Sequence, residues 1–118
     1  MKIVKVGNKR YLSFKYHELA FSRRTMSIEQ YILDEQGNII KTFYPEKKAF
    51  VIELPDNAKY FLRRYFTNRG YPEHTLYELP TLQIVFKLNR YTTFEDILTA
   101  EIPENLKKLL MEELTGDC

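Results

Sequence analysis

The chain has 118 residues, with 44% hydrophobic and 14% aromatic residues, which is enough to form the core of one domain. This composition excludes an intrinsically disordered chain, and the single cysteine, Cys118, excludes a disulfide scaffold. The net charge of +2 conceals an imbalance, because residues 1–30 carry seven basic and two acidic side chains whereas residues 91–118 carry two basic and seven acidic ones.

The first half of the chain, residues 1–54, is predicted to form strands. Apolar and polar residues alternate along residues 9–21, and a period of two is typical of a half-buried strand. Residues 25–33 are rich in isoleucine, threonine and tyrosine. Gly37 and Asn38 tolerate positive φ, which predicts a hairpin between the strands on either side. The connections are too short for parallel crossovers, so the sheet is expected to be antiparallel.

A helix is predicted over residues 57–69. Four apolar residues have the i, i+3, i+4, i+7 spacing of a buried helix face: Ala58, Phe61, Leu62 and Tyr65. Residues 55–57 are typical of a helix start, and Gly70 is typical of a helix end. The alternative is a strand over residues 60–66, because aromatic residues favour strands, but the two caps favour the helix.

The second half continues with a predicted loop over residues 70–80, a strand over 81–88 and a helical segment over 93–115. Thr93 and Asp96 have the spacing of a capping box. The last helix carries an apolar stripe of Leu106, Leu109, Leu110 and Leu114. The sequence therefore predicts one globular α+β domain over residues 1–118. It has a mainly antiparallel sheet of about five or six strands, one crossing helix, and a helical C-terminal segment packed on one face.

Basic and aromatic side chains alternate within the predicted helix and recur upstream of it. The candidate nucleic-acid contacts are Lys59, Tyr60, Arg63, Arg64, Arg69, Arg23 and Arg24. Arginines contact phosphates and exposed tyrosines stack on bases. The structural alternative is that the aromatics form core and that the long basic side chains cover apolar surface. We predict a small non-enzymatic binding protein whose partner is nucleic acid.

A protein partner or a second copy of the chain is the alternative partner. The acidic C-terminal helix would dock on a basic protein or on the basic half of another copy. No apolar run approaches the roughly 18–20 residues of a membrane-spanning helix. The N-terminal residues do not resemble a signal peptide, so a cytoplasmic protein without a membrane partner is expected.

Signals for catalysis are weak. His17 and His74 each lie beside a glutamate, and two histidines can act as an acid–base pair in metal-free RNA cleavage if the fold brings them together. Asp34 and residues 46–48 have the Asp…Glu-x-Lys form of a Mg²⁺-dependent nuclease, although acids are common in turns. The chain lacks zinc-binding spacings and a glycine-rich phosphate loop. No metal or cofactor is therefore predicted.

Overall fold

The computed structural model describes residues 1–19, 25–26 and 28–115. In this part of the chain the strands are β1 (Lys2–Val6), β2 (Lys9–Phe14), β3 (Thr25–Met26), β4 (Gln30–Leu33), β5 (Ile39–Phe43), β6 (Phe50–Leu54), β7 (Tyr60–Arg63), β8 (Phe66–Thr67), β9 (His74–Glu78) and β10 (Ile84–Leu88). The helices are α1 (Phe94–Leu98) and α2 (Glu104–Thr115). The protein is therefore a mixed α+β domain with two short helices.

The strands form antiparallel sheets. One sheet has five strands in the order β10-β9-β7-β4-β5, another has three in the order β1-β2-β6, and β3 pairs with β8. All of these pairings are antiparallel. The predicted antiparallel sheet is thus confirmed, but its strands are more numerous and are divided between sheets.

The strands β4 and β7 of the five-stranded sheet are buried on both faces. In β4 and β7 the adjacent residues Ile32 and Leu33, and Phe61 and Leu62, are all fully buried. Because neighbouring side chains of a strand point to opposite faces, each pair contributes to two different cores. Ile32 and Phe61 pack in one core with residues of β2 and β6, whereas Leu33 and Leu62 pack in a second core with α1 and α2. The fold therefore has three layers: the three-stranded sheet, the five-stranded sheet and the helices.

The predicted helix over residues 57–69 is wrong. Phe61 pairs with Ile32 of β4 on one side and with Tyr77 of β9 on the other, so this segment is a central strand. A strand buried on both faces is apolar at consecutive positions. The apolar residues of this segment therefore also matched the spacing of a helix face. The supposed start at residues 55–57 is a turn, in which the Ala58 N–H donates to the Pro55 carbonyl at 3.0 Å.

The second half follows the prediction more closely. The predicted loop over residues 70–80 instead contains β9. Of the predicted strand over 81–88, residues 84–88 form β10, whereas residues 81–83 precede it. The helical segment over 93–115 consists of α1 and α2. Thr93 and Asp96 form the predicted capping box, and Leu106 and Leu110 of the α2 stripe are fully buried.

The turn between β4 and β5 is hydrogen-bonded to the start of α2. Asp34 Oδ1 accepts hydrogen bonds from the N–H groups of Gln36 at 3.0 Å and of Asn38 at 2.9 Å, which closes the predicted hairpin turn. Asn105 Nδ2, on the first turn of α2, donates to Asn38 Oδ1 at 3.0 Å. The hairpin is therefore confirmed, and it fixes the start of α2 against the sheet.

Candidate nucleic-acid interface

A groove lies at one end of three neighbouring strands of the five-stranded sheet, β7, β9 and β10. Thr75 of β9 is directly opposite Arg63 of β7 on one side and Lys87 of β10 on the other. Cross-strand partners point to the same face, so these side chains form a row. The row lines the inner part of the groove, which has a volume of about 330 Å³. This arrangement places one cation on each side of Thr75.

The outer part of the groove continues from the inner part and is larger, with a volume of about 680 Å³. Glu73 and Asn89 line both parts and so mark their junction. Beyond them the outer part contains two arginines and two tyrosines: Arg69, Tyr71, Arg90 and Tyr91. The two parts together are called the groove below.

Three chain segments line the groove. Alternate residues of each contribute, namely 63, 65 and 67, then 71, 73 and 75, and then 87, 89 and 91. Residues 68, 69, 74, 88 and 90 also line it, and of these His74 and Leu88 are buried. The period of two along the strands therefore accounts for part of the lining, and the turns at residues 68–69 and 90 supply the remaining exposed side chains.

The outer part is organised around Arg90. Its guanidinium carbon lies 4.8 Å from the ring centroid of Tyr91 and 5.2 Å from that of Tyr71, and Nη2 donates to the Tyr91 hydroxyl at 2.6 Å. Tyr71 is 40% exposed and Tyr91 is 74% exposed. The cation–π contacts therefore bring together two exposed tyrosines at one arginine.

Local hydrogen bonds fix the two turns that carry these tyrosines. Asn89 Oδ1 accepts from the Tyr91 N–H at 2.8 Å, and the Asn89 N–H donates to Thr92 Oγ1 at 2.9 Å. In the other turn, Thr67 Oγ1 accepts from the Tyr71 N–H at 3.1 Å. Side chains that bond the backbone two to four residues away stabilise turns, so the backbone at both tyrosines is fixed.

The structure separates the two adjacent arginines that were predicted as phosphate contacts. Arg64 is largely buried, with Nη2 2.6 Å from Glu113 Oε1 and Nη1 donating to the Glu29 carbonyl at 2.7 Å. Arg63 faces the groove, where Nη2 donates to the Glu18 carbonyl at 2.9 Å and Nε to the Tyr65 hydroxyl. Neighbouring residues of a strand point to opposite faces, so these arginines do not form one surface.

The other predicted contacts are also dispersed. Lys59 Nζ lies 3.8 Å from Glu78 Oε1, and Tyr60 packs against the core below the helices. Arg69 is exposed in the outer part of the groove. Arg23 and Arg24 lie outside the described residues. The groove therefore brings together Arg63 and Arg69 from the predicted set, and nucleic-acid contact by these residues stays a prediction.

The two histidines lie in different environments. His17 is exposed in a turn, with φ 58°, and its ring contacts Tyr16. His74 is buried at the start of β9, where Nδ1 accepts from the Tyr65 N–H at 3.2 Å and Nε2 lies 3.2 Å from Glu113 Oε2. With Nδ1 as acceptor, Nε2 carries the hydrogen and donates a hydrogen bond to the carboxylate. Both ring nitrogens of His74 are therefore engaged inside the protein, which favours a structural role.

Glu113 joins the C-terminal helix to the sheet through a buried charged cluster with Arg64 and His74. Burial alone would raise the pKa of Glu113, but the hydrogen bond from His74 and the charge of Arg64 outweigh it and lower the pKa below its ordinary value. One acid of the acidic C-terminal segment thus neutralises a base of the sheet. This internal contact offsets one of the seven acidic side chains of residues 91–118.

The predicted nuclease acids have local roles. The Asp34 carboxylate closes the β4–β5 turn, and Glu46 Oε2 lies 3.7 Å from Lys48 Nζ. Within the described ranges, no group of three or more histidine, cysteine, aspartate or glutamate side chains is placed to hold a metal ion.

Four groove residues were missed because the sequence placed them in loops: Glu73, Asn89, Arg90 and Tyr91. For Glu73, Asn89 and Tyr91 the available signal was the period of two along residues 71–75 and 87–91, which continues the strands into their flanking segments; Arg90 lies off this period. The register that places these segments side by side cannot be read from the sequence.

Comparisons with protein-family models, curated proteins and solved structures give no match to this chain. Among the helices of the described residues, none has the length and apolar character needed to cross a membrane.

Proposed function

We propose that this protein binds single-stranded nucleic acid in the groove. The observation that carries the proposal is that Arg69 and Arg90 line one open site together with the exposed residues Tyr71 and Tyr91. Cations that track a phosphate backbone, together with aromatic rings that stack on bases, are the features of sequence-tolerant single-strand binding.

The charge of the groove supports an anionic ligand. Its lining includes four cationic side chains against one carboxylate: Arg63, Arg69, Lys87 and Arg90, with Glu73 as the acid. Lys87 and Arg90 are exposed, and the inner and outer parts share a boundary, so a strand could follow the cations continuously. Neutralisation of phosphates by such cations releases condensed counterions, which makes the affinity depend on salt.

The aromatic residues favour a single strand over a duplex. Tyr71 and Tyr91 are exposed at the groove, and a base can stack on their rings only when it has left its own stack. A duplex would present its phosphates but would leave both rings unused. We therefore expect single-stranded DNA or RNA to bind more tightly than the corresponding duplex.

The test is fluorescence anisotropy with labelled single-stranded and duplex oligonucleotides over a salt series. Arg69→Ala combined with Arg90→Ala should weaken single-strand binding at least about tenfold at low salt. It should also reduce the slope of log K against log [salt] by about 1.4, if each arginine neutralises one phosphate.

A control variant removes the same net charge elsewhere. Lys5→Ala combined with Lys47→Ala changes two exposed lysines that lie outside the groove lining, and it should bind within about twofold of the wild type. Equal weakening by both double variants would mean that net charge alone attracts the ligand. Unchanged binding by the arginine variant would exclude the groove as the site.

As a second candidate function we propose head-to-tail association with a second copy. Phe94 and Leu98 of α1 are 50% and 54% exposed and flank acidic residues. Val6 and Val51, on the outer face of the three-stranded sheet, are 62% and 58% exposed, and β1 on this sheet carries exposed lysines. The helical layer of one copy therefore complements the basic sheet of another in both charge and apolar surface.

Sedimentation velocity at increasing protein concentration tests this second candidate. Two different surfaces form an open contact, so the mean mass should rise with concentration and fall with added salt. Leu98→Ser should reduce the association, whereas Ile84→Ser, which changes an equally exposed residue on β10, should not. A constant monomer mass would contradict this candidate and leave the groove proposal unaffected.

A further inference from the structure

Glu73 is the one carboxylate among the described residues that line the groove. It lies at the junction of the inner and outer parts, and its N–H donates to the Tyr65 carbonyl at 2.8 Å, which fixes its backbone. Its side chain is exposed and has no hydrogen-bond or ion-pair partner in the described part of the chain. A free carboxylate is thus held in the centre of an otherwise cationic site.

A carboxylate at this position opposes phosphate binding, because like charges repel. An ionised carboxylate only accepts hydrogen bonds, so it can contribute to nucleic-acid binding only by contact with donors of a base or sugar. The carboxylate therefore lowers the affinity for every strand, and it can compensate for this only with a base that offers such donors.

The four bases differ in the donors that they offer at the edge exposed in a single strand. Guanine has two adjacent donors, N1–H and the 2-amino group, which match the two oxygens of one carboxylate. Adenine and cytosine each offer an amino group next to a ring-nitrogen acceptor, and uracil or thymine offers one N–H between two carbonyl oxygens. Guanine alone therefore forms a paired contact with a carboxylate without placing an acceptor against it.

We propose that Glu73 makes the groove select a guanine, whose Watson–Crick edge pairs with the carboxylate while its ring stacks on Tyr71 or Tyr91. The proposal rests on the proposed single-strand function and adds a base preference to it. Tyr71 precedes Glu73 by two residues and lines the same part of the groove, so the stacking and pairing groups lie on one side of the site. Arg69 and Arg90 then contact the flanking phosphates.

The experiment compares labelled hexamers of uridine, or of thymidine in DNA, that contain one guanine, one inosine or one adenine at the same position. Inosine keeps N1–H and lacks the 2-amino group. The wild type should bind the guanine hexamer about tenfold more tightly than the adenine hexamer, within the range for a paired base contact, with inosine between them. One guanine in each strand prevents four-stranded guanine structures.

The matched variant is Glu73→Gln, which removes the charge with little change in size. It should lose the preference for guanine and bind the adenine hexamer more tightly than the wild type does. Its urea midpoint should equal that of the wild type, because the side chain is exposed.

The outcomes separate this inference from the proposed function. Equal, salt-dependent binding of all three hexamers by the wild type would overturn the guanine preference and leave single-strand binding in place. A guanine preference that survives in Glu73→Gln would assign the selection to another residue. Failure of every hexamer to bind at low salt would overturn both proposals.

Discussion

Gly37 lies where the fold leaves no room for a side chain. Its φ is +88°, and a Cβ atom there would lie 2.7 Å from the backbone nitrogen of Leu106 and 2.9 Å from its Cβ. Both the left-handed backbone and the contact with α2 therefore require glycine. Gly37→Ala should lower the free energy of unfolding by at least about 2 kcal/mol, measured by urea denaturation.

Gly7 provides the control for this substitution. Its φ is +61°, yet an added Cβ would meet no described atom within 4 Å. Gly7→Ala should therefore cost only the backbone strain, about 1 kcal/mol. Equal losses in the two variants would show that the approach of α2 to the turn contributes nothing to the stability.

Glu113 is the residue on which the buried charged cluster depends. Glu113→Gln would leave the largely buried Arg64 guanidinium without an opposite charge, which costs about 3 kcal/mol of unfolding free energy in comparable buried pairs. Glu112→Gln changes the exposed neighbour on the same helix and should leave the urea midpoint nearly unchanged. Similar midpoints for the two variants would contradict a stabilising role for the cluster.

The pKa of Glu113 also predicts how stability depends on pH. Because its folded pKa is lowered from the ordinary value of 4.5, the unfolded chain takes up the proton first as the pH falls. The stabilisation is complete above pH 4.5 and is lost as the pH falls through the lower folded pKa. When the pH is lowered from neutral into this range, the free energy of unfolding should fall more for the wild type than for Glu113→Gln. Parallel curves of unfolding free energy against pH would contradict this assignment.

The elements that the sequence predicted correctly depend on local signals. The turn at Gly37 and the capping box of Thr93 with Asp96 each need only a few consecutive residues. The strand β7 depends instead on distant partners, because burial of both Phe61 and Leu62 requires a sheet neighbour on each side and a layer on each face. The groove has the same dependence, since residues 63–67, 71–75 and 87–91 meet only through the strand register.

The central position of β7 predicts its resistance to hydrogen exchange. Paired on both sides and buried on both faces, the amides of Phe61 and Leu62 should exchange only by global unfolding. Ile97, in the five-residue helix α1, should exchange earlier by local opening. Native-state exchange followed by NMR at increasing urea distinguishes the two mechanisms. Rapid exchange at Phe61 that is independent of urea would contradict a central strand.

At the scale of the whole molecule, the groove is continuous with the sheet that both cores share. Arg63, Thr75 and Lys87 belong to β7, β9 and β10, whose neighbouring residues pack against the helices. A ligand in the groove therefore binds only when these strands are paired, so binding and global folding are linked.

This linkage predicts stabilisation of the whole domain by the ligand. A single-stranded oligonucleotide at a free concentration of about 100 times its Kd should raise the free energy of unfolding by about 2.7 kcal/mol. Urea denaturation followed by circular dichroism at low salt measures the change, which should decline as salt is added. Arg69→Ala combined with Arg90→Ala should show little stabilisation at the same ligand concentration. Equal stabilisation of this variant and the wild type would place the bound strand on another surface, because both proteins have the same three-layer core.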